Sequence, residues 1–340
     1  MGSFVQGDDE LVPVYETGAQ VLEKLQEKSS SSPPAAAAMY SSVVGGIILD
    51  PAMMVLPVDD HMVHRGHGVF DTAMILDGCL YELDAHLDRF LRSAAAARIP
   101  TPTLLGGRPA LRRILIQMTA ASGCRRGSIR YWLSAGPGDF LLSPKGCRPS
   151  PAFYAVVIPS DYEQCRAGVR AVTTSVPMKP PLFATTKNVN YLPNVLAITD
   201  AEDRDAFAAV WVDGRGHVAE GPMVNVAFVT PERELVLPAF DGILGGCTAK
   251  RLLALAPKLV GDGMPLAAVA NRNITADEAR RSVEMAFVGS GLPVLPVTHW
   301  DDQPIGDGKA GPLMLALSDL LWEDMKSGPD RIAVPYNDDQ

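Results

Sequence analysis

Two residues in the second half of the chain have side chains that could act on an organic molecule. Lys187 follows the apolar segment 180–183 (PPLF) and precedes an apolar helical pattern, which predicts a buried amine. Burial lowers the pKa of a lysine and makes its amine a competent Schiff-base nucleophile. Glu220 ends a predicted strand and precedes Gly221, and a carboxylate there could hold a ring nitrogen protonated. Either residue alone is more often a solvated surface charge, so each signal is weak by itself.

Two further segments could bind an anion such as a phosphate. The segment 244–248 (LGGCT) leads into a predicted helix, where free backbone N–H groups and the positive end of the helix dipole would face a ligand. The commoner role of such a segment is an ordinary N-cap by Thr248. Arg89 lies opposite the apolar stripe of another predicted helix or near its edge. It could form a surface ion pair or bind a phosphate as a bidentate donor.

The composition limits the classes of function. Of 340 residues, 47% are hydrophobic, which allows a large core divided between two domains. The formal net charge of -9 gives no overall attraction for nucleic acids or anionic membranes, so neither is an expected partner. The five cysteines form no C-x-x-C pair, and no ligand pattern surrounds His61, His64 and His67, so no metal site is expected. These three histidines are predicted to lie in loops and turns.

The N-terminal extension, residues 1–38, is predicted to lie outside the folded body. Residues 14–28 could form a short helix, and residues 29–38 (SSSSPPAAAA) have the low complexity of a linker. Asp8, Asp9 and Glu10 disfavour a targeting peptide, and no segment approaches the ~20 apolar residues that a membrane-spanning helix needs. The cytoplasm is therefore the expected location.

The rest of the chain divides into residues 39–158 and residues 165–330. Asp77-Gly78 lies between two strand patterns, which is a strong hairpin signal, and 275–278 (TADE) is a helix capping box. Strands are predicted at 42–49, 72–76, 79–81, 128–134, 152–158, 169–176, 207–212, 224–229 and 234–237. Helices are predicted around 87–95 and at 109–122, 192–202, 248–256, 275–282 and 312–325. The first half is therefore predicted to be a small α+β domain.

Taken together, these segments resemble the class IV, or fold-type IV, pyridoxal-phosphate enzymes. That family includes branched-chain aminotransferases, D-amino-acid aminotransferases and aminodeoxychorismate lyases. The resemblance runs from about residue 45 to residue 325 and keeps the family's order of motifs. The matching segments are 59–70, 86–89, 187–194, 220–225, 246–248 and 289–291. One such motif would be weak evidence, whereas six in order identify the family.

The resemblance implies a role for each matching residue. Lys187 would carry pyridoxal 5′-phosphate as a Schiff base and move the substrate's α-proton, and Glu220 would pair with the pyridine nitrogen. Leu244 would pack on the ring face, and Asn225 would support Glu220 and the ring. The phosphate would be surrounded by Arg89, Gly246, Cys247, Thr248 and Ser290. The substrate side would be lined by Phe70, Thr72, Arg130, Tyr131 and Gly291.

The resemblance also implies the architecture and the partners. The fold would be α+β in two domains, a small N-terminal domain and a larger cofactor-binding domain with a β-barrel-like core. The substrates would be an amino acid and a 2-oxo acid, and the protein would usually form a homodimer. The active site would lie near the boundaries between domains and between subunits.

The wording of two motifs narrows the branch of the family. Lys187 and Asn190 are spaced Lys-x-x-Asn, as in D-amino-acid aminotransferases and aminodeoxychorismate lyases, whereas branched-chain enzymes more often have one extra residue. Segment 64–73 (HRGHGVFDTA) resembles the plant branch of the D-amino-acid aminotransferase-like proteins. We therefore predict ping-pong transamination of D-amino acids with 2-oxo acids.

Three alternatives stay open. Thr72 matches a threonine that aminodeoxychorismate lyases use, and 136–140 (GPGDF) lacks the Arg-His carboxylate anchor of bacterial D-aminotransferases. Both features favour a lyase that releases 4-aminobenzoate and pyruvate. A branched-chain L-amino-acid aminotransferase and a cofactor-binding protein with little catalysis are the other two. The best replacement for the missing anchor is Arg130, with Lys145 and Arg148 behind it.

Overall fold

The structure is a computed structural model that describes residues 12–30, 36–101, 106–147, 151–261, 263 and 265–336. The N-terminal helix, α1, spans Gly18–Ser30 rather than the predicted 14–28. Residues 31–35 of the predicted linker lie outside the described residues, as do the acidic residues near the N-terminus. No helix in the described part of the chain is long and apolar enough to cross a membrane.

The described residues form two sheets with helices packed against them. The strands are β1 Ala38–Ser41, β2 Gly46–Ile48, β3 Gly68–Leu76, β4 Cys79–Tyr81, β5 Gly127–Ser134, β6 Ala152–Pro159, β7 Val169–Thr173, β8 Ala208–Val210, β9 Asn225–Val229, β10 Glu234–Leu237, β11 Ala268–Asn271, β12 Glu284–Gly289, β13 Leu292–Trp300, β14 Gln303–Pro304 and β15 Arg331–Ala333. The helices after α1 are α2 His61–Arg65, α3 Leu83–Ala96, α4 Gly107–Ala121, α5 Pro181–Ala184, α6 Leu192–Glu202, α7 Cys247–Leu255, α8 Ala276–Arg280 and α9 Pro312–Ser327.

The first sheet has the strand order β15-β4-β3-β5-β6-β1-β2. The predicted hairpin at Asp77-Gly78 is confirmed, because both residues have positive φ angles, 49° and 73°, and join antiparallel β3 and β4. Alternate residues of β3, β5 and β6 face α3 and α4, since successive side chains on a strand point to opposite faces. Phe90, Leu115 and Phe153 are fully buried in the resulting core.

Two predictions for this half are wrong in detail. The strand predicted at 42–49 is only the turn at Gly45, where φ is 81°, followed by β2, which pairs antiparallel with β1 before the turn. His61 and His64 were predicted in loops but lie in the short helix α2, which begins because the Asp60 side chain accepts a hydrogen bond from the Met62 N–H.

The second sheet has the order β11-β10-β9-β12-β13-β7-β8, with β14 paired to β13. Both of its faces are buried. Met285 and Phe287 of β12 join a core that draws side chains from six strands, and Ala286 and Val288 pack on the opposite face under α7 and α9. The predicted α+β fold class is confirmed by these two sheets and their helices.

The end of the described chain returns to the first sheet, because β15 pairs antiparallel with β4. A buried polar cluster joins the two halves at the same place. Asp324 of α9 accepts hydrogen bonds from the Tyr81 hydroxyl of β4, at 2.5 Å, and from Arg251 of α7, at 2.6 and 2.8 Å. The two sheets are therefore held together on one side of the cleft between them.

Candidate active site

A cavity of about 740 Å³ lies between the two sheets. Its wall in the first sheet is built by alternate residues of two neighbouring strands, namely Phe70, Thr72 and Met74 of β3 and Ser128 and Arg130 of β5. The facing wall comes from the loops at the ends of the second sheet and from the start of α7. Such a concave space between domains is where small-molecule sites usually lie.

The backbone of Lys187 is fixed on the first half of the molecule. Its carbonyl accepts a hydrogen bond from the Phe70 N–H at 3.0 Å, and its own N–H donates to the Ser93 Oγ of α3 at 3.1 Å. The side chain extends into the cavity, with Nζ 3.4 Å from the Tyr191 hydroxyl and 4.7 Å from the centre of the Phe70 ring. The amine is thus presented on a rigid backbone between two aromatic side chains.

Glu220 lies in the same cavity with only 8% of its surface exposed. Burial raises the pKa of its carboxyl to about 8, although the Leu244 N–H, which donates to Oε2 at 3.2 Å, opposes this rise. The Asn225 amide donates to the Leu244 carbonyl at 2.9 Å. Glu220 and Asn225 therefore hold Leu244 from both sides, and a carboxyl with this pKa can share its proton with a basic nitrogen.

The start of α7 forms a cup for an anion. The helix begins at Cys247 directly after Gly246, and its first N–H groups have no partners within the helix. The Thr248 hydroxyl lies 3.4 Å from the Ser290 hydroxyl, which comes from the turn between β12 and β13. A Cβ added at Gly246 would overlap the Asn225 amide oxygen, so the chain needs glycine there.

Two buried cations reinforce the cup. Arg89 binds both carboxylate oxygens of Asp71, at 2.6 and 2.8 Å, and Nδ1 of His86 is 2.8 Å from the same carboxylate. Burial alone would raise the pKa of Asp71, but Arg89 and His86 hold it well below its usual range. Burial alone would lower the pKa of His86, but Cys247 and Asp71 raise it to about 9.

The Cys247 thiol belongs to the same cluster. Burial would raise its pKa, but His86 and Arg89 outweigh burial and lower it. The Arg89 guanidinium and the free N–H groups at the start of α7 favour an anion there. The guanidinium of Arg89 is only 7% exposed and lines the cavity, so it is positioned before any ligand arrives.

All but one of the residues to which the resemblance assigns a role line this one cavity. They are Phe70, Thr72, Arg89, Arg130, Lys187, Glu220, Asn225, Leu244, Gly246, Cys247, Thr248, Ser290 and Gly291. Tyr131 is the exception and corrects the prediction. It neighbours Arg130 on β5 and so points to the other face, where it is fully buried and its ring centre lies 4.9 Å from that of Phe90.

Arg130 is a cation in the wall that the first sheet contributes to the cavity. Its Nε donates to the Thr72 hydroxyl at 3.2 Å, and its guanidinium lies 6.0 Å from the centre of the Phe70 ring. A substrate carboxylate could therefore bind beside Thr72. Of the alternative anchors, Lys145 lies on an exposed turn away from the cavity, and Arg148 is outside the described residues.

Sequence patterns missed three residues of the site. Asp71 fixes Arg89, and the only sign of it was a carboxylate among apolar residues on the core face of a strand. Tyr191 contacts the Lys187 amine. Asn194 donates to the Pro222 carbonyl at 2.5 Å and lies at the cavity. Its buried Oδ1 has no hydrogen-bond partner among the residues that the structure describes.

Within the described ranges, no group of three or more His, Cys, Asp and Glu side chains is placed to hold a metal ion. What this cavity offers is a lysine amine, a buried carboxyl that keeps its proton near neutral pH and a cationic cup. These groups suit covalent work on a phosphorylated ring compound.

The fold is that of a known class of aminotransferases. A branched-chain aminotransferase from the archaeon Thermoproteus uzoniensis, solved with norvaline, superposes with a TM-score of 0.76. The two chains are 22% identical, and the match covers 88% of this chain and 100% of that one. At this level of identity the likeness establishes the fold.

The sequence comparisons establish the family. The family model for amino-transferase class IV matches residues 68–300. A chloroplastic D-amino-acid transaminase of Arabidopsis thaliana is 57% identical over 297 residues, which cover 86% of this chain and 78% of that protein. A bifunctional aminodeoxychorismate lyase / D-amino acid transaminase of Mycobacterium tuberculosis is 29% identical over 228 residues, or 62% of this chain and 76% of that protein. The chain belongs to the class IV aminotransferase family.

Proposed function

We propose that this aminotransferase uses pyridoxal 5′-phosphate to exchange amino groups between D-amino acids and 2-oxo acids by a ping-pong mechanism. The carrying observation is the placement of the Lys187 amine, the Glu220 carboxyl and the cationic cup around one cavity. The D preference is supported by the name of the Arabidopsis relative at 57% identity.

The groups that line the cavity fit the proposed cofactor. Glu220, with a pKa of about 8, suits the pyridine nitrogen, and the start of α7 with Arg89 suits the phosphate. When bound, the cofactor supplies an aldehyde for the amino group and a ring that withdraws electrons from the substrate's α-carbon. Leu244, held between Glu220 and Asn225, is placed to pack on that ring.

The residues of this chain would transfer the proton and bind the substrate. The Lys187 amine can accept the proton from the substrate's α-carbon and return it, because its side chain extends into the cavity, with Nζ 3.4 Å from the Tyr191 hydroxyl. Arg130, oriented by the Thr72 hydroxyl, can bind the substrate carboxylate. Phe70 and Tyr191, whose rings lie 5.1 Å apart, both contact the amine and restrict its position.

The role of Lys187 is tested by replacement and by trapping. Lys187→Ala should lower the turnover of D-alanine with 2-oxoglutarate at least about a thousandfold, because the proton-moving amine is lost. Borohydride should fix the cofactor covalently on the peptide that contains Lys187. Lys179→Ala, which removes another lysine near Tyr191, is the matched control and should leave that labelling intact. Labelling on a different lysine would refute the proposal.

The stereochemical preference is tested with a panel of D- and L-amino acids against 2-oxo acids. D-alanine with 2-oxoglutarate should give D-glutamate. Turnover restricted to L-leucine, L-isoleucine and L-valine would replace the D assignment with the branched-chain one. The panel therefore separates the two aminotransferase activities.

A lyase is the second candidate, because Thr72 lies in the cavity beside Arg130. The name of the Mycobacterium tuberculosis relative includes both activities. Lyase action would release pyruvate from aminodeoxychorismate without any 2-oxo acid acceptor. Pyruvate release that equals or exceeds transamination, and that Thr72→Val abolishes, would establish it.

The expected homodimer is supported by an exposed apolar surface. We define this apolar surface as Phe140, Leu141, Leu142, Leu182, Phe183, Leu192, Val195 and Leu196, which are 48–78% exposed. Large apolar side chains that are exposed in such number usually mark protein contacts. Light scattering at micromolar concentration should give twice the mass of the chain, and Leu192→Glu should give the monomer. A wild-type monomer would rule out the dimer.

We also propose a cytoplasmic location, whereas the Arabidopsis relative is named chloroplastic. Imaging of the full-length chain with a C-terminal fluorescent protein would decide between the two, and a plastid signal would overturn the proposal.

A further inference from the structure

One polar side chain lies on the inner face of helix α6. Asn194 is 6% exposed and shares this face with Ala197 and Ala201, which are fully buried. Burying an amide costs free energy unless its groups are hydrogen-bonded. The bond that Asn194 makes should therefore show why an amide stands on this face.

The amide joins α6 to the segment that carries Glu220. Asn194 Nδ2 donates to the carbonyl of Pro222 at 2.5 Å, and Pro222 is a buried residue two positions after Glu220. Among the described residues Asn194 Oδ1 has no hydrogen-bond partner, so the donation to Pro222 is what the amide contributes. A buried carbonyl that loses its donor costs more free energy than an exposed one.

Glu220 is held from its other side by backbone pairing. The Trp211 N–H donates to the Glu220 carbonyl at 3.0 Å, and the Ala219 N–H donates to the Trp211 carbonyl at 2.8 Å. The segment that follows Glu220 is fixed to α6 by the Asn194 amide. The position of the Glu220 carboxyl in the cavity therefore depends on α6 as well as on its own sheet.

The same helix also sets the position of the Lys187 amine. Tyr191 directly precedes α6, and its carbonyl accepts a hydrogen bond from the Val195 N–H at 2.9 Å. The Tyr191 hydroxyl lies 3.4 Å from Lys187 Nζ. A shift of the first turn of α6 would therefore move the Tyr191 hydroxyl and the Asn194 amide together.

The separation between Lys187 and Glu220 matters because the proposed cofactor is a rigid ring. Its aldehyde carbon and its ring nitrogen lie at opposite ends of that ring. The amine and the carboxyl that bind these two ends must therefore stay a fixed distance apart. A misplacement of about 1 Å in a reacting group can lower a rate ~100-fold, even when the mutation is remote from the chemistry.

We propose that Asn194 is a positioning residue, which fixes the Glu220 carboxyl relative to the Lys187 amine through its bond to Pro222. This role rests on the proposed use of pyridoxal phosphate in the cavity. Asn194 acts through Glu220 and not on the substrate. Its effect should therefore depend on the presence of the Glu220 carboxyl.

The first test is hydrogen exchange in the cofactor-free protein, which needs no turnover. The Gly221 N–H donates to the Val224 carbonyl, and the Leu244 N–H donates to the Glu220 carboxylate. Both N–H groups report on the segment that Asn194 holds. Asn194→Ala should speed their exchange roughly tenfold, because the segment loses a buried hydrogen bond.

The matched control is Asn271→Ala, which removes an amide with the same kind of bond away from the cavity. The Asn271 amide donates to the carbonyls of Leu237 and Pro238 at 3.2 and 2.8 Å. Its loss should leave the exchange of the Gly221 and Leu244 N–H groups unchanged. Faster exchange of both groups in the control, to the same extent as in Asn194→Ala, would show a general loss of stability and contradict the proposal.

The second test is a double-mutant cycle on the dissociation constant of pyridoxal phosphate, measured by fluorescence titration. Asn194→Ala should raise this constant roughly tenfold when Glu220 is present. In the Glu220→Gln background the same change should raise it less than about threefold, because the carboxyl that Asn194 positions is absent. Asn271→Ala should leave the constant unchanged in both backgrounds.

A third variant separates the hydrogen bond from packing. Asn194→Leu keeps the volume of the side chain but has no donor, and it should bind the cofactor as weakly as Asn194→Ala. Wild-type affinity in Asn194→Leu would overturn the proposal, because packing alone would then explain the effect. Equal effects of Asn194→Ala in the two backgrounds would overturn it as well. Melting curves confirm that each variant is folded.

The failure of this proposal can be told apart from the failure of the proposed function. An enzyme that proves to be a lyase, or that prefers L-amino acids, should still show the coupling, because both tests are made without turnover. A wild-type chain that does not bind pyridoxal phosphate would remove the proposed function and the role of Asn194 together. Equal effects in the two backgrounds would remove the role of Asn194 alone.

Discussion

The carboxyl of Glu220 has a pKa of about 8, against an ordinary value of 4.5, because it is buried in the cavity, and the Leu244 N–H only partly offsets this effect. A folded-state pKa above the unfolded value means that the folded state holds the proton more tightly. The Glu220 carboxyl therefore stabilises the folded protein fully below about pH 4.5, and this stabilisation is lost as the pH rises towards 8.

The raised pKa of Glu220 predicts how Glu220→Gln changes the stability of the cofactor-free protein. The variant should match the wild type near pH 5 and exceed its free energy of unfolding by roughly 2–4 kcal/mol near pH 8.5, because it never has to ionise a buried carboxyl. Urea unfolding at the two pH values measures the difference. The exposed Glu202→Gln is the control and should show no such pH dependence. Equal stabilities of Glu220→Gln and wild type at both pH values would refute the assignment.

At the scale of elements, Asp71 joins β3 to α3. It is fully buried and binds Arg89 and His86, both of which come from α3. Removing one member of a buried ion cluster leaves the others uncompensated, which usually costs about 3–5 kcal/mol. Arg89 and His86 also face the start of α7. The loss of the Asp71 carboxylate should therefore weaken cofactor binding as well as the stability of the fold.

We expect Asp71→Asn to weaken cofactor binding by roughly tenfold to a hundredfold and to lower the thermal midpoint clearly. The matched control is Asp88→Asn on the same helix, where Asp88 forms an exposed pair with Arg108. Loss of an exposed pair costs at most about 1 kcal/mol. Fluorescence titration with pyridoxal phosphate and melting curves measure both effects. A variant that binds the cofactor as tightly as the Asp88 control would contradict the proposed role of Asp71.

Much of the fold could be predicted from local patterns, because helices and half-buried strands have clear periods. Helix α6 matches its predicted bounds, and the predicted N-cap at Thr275 is confirmed by the hydrogen bond from the Glu278 N–H to Thr275 Oγ1. The Glu278 carboxylate accepts a hydrogen bond from Arg272, and that bond takes the place of the reciprocal bond of the predicted capping box. The patterns predict no strand at 284–300, where β12 and β13 lie. Pro293 and Pro296 obscure the strand pattern of β13, because proline is rare inside strands. The register of β13 shifts against both of its neighbouring strands, β12 and β7.

Sequence patterns predict the site less well where it depends on contacts between residues that are far apart in the chain. Motifs place Lys187, Glu220 and Arg89 because each motif carries a functional group at a fixed position. The error at Tyr131 came from one step along a strand, which reverses the face of a side chain. Asp71 gave only a weak local signal, a carboxylate among the apolar residues of a strand, because its importance depends on partners contributed by α3.

At the scale of the whole molecule, the cluster of Tyr81, Arg251 and Asp324 joins the first sheet to α7 and α9. Burial alone would raise the pKa of Asp324, but Arg251 and Tyr81 lower it. The anion cup is carried by the start of the same helix α7. The cluster therefore fixes the angle at which the two walls of the active site meet.

Asp324→Asn should destabilise the protein by about 3 kcal/mol and weaken the coupling between its halves. Calorimetric unfolding should then broaden or separate into two transitions, whereas the wild type should unfold in one. Asp319→Asn on the same helix removes an exposed ion pair with Arg166 and serves as the control. A single sharp transition for Asp324→Asn, at the wild-type temperature, would count against this role of the cluster.

The pairing of β15 with β4 has a consequence for synthesis on the ribosome. One edge of β4 has no pairing strand until residues 331–333 are translated, and these follow the whole second sheet in the chain. Throughout that interval the nascent chain exposes unsatisfied peptide groups along one edge, the kind of surface that recruits other polypeptides. We expect the growing chain to depend on chaperones until its last strand emerges and closes the first sheet.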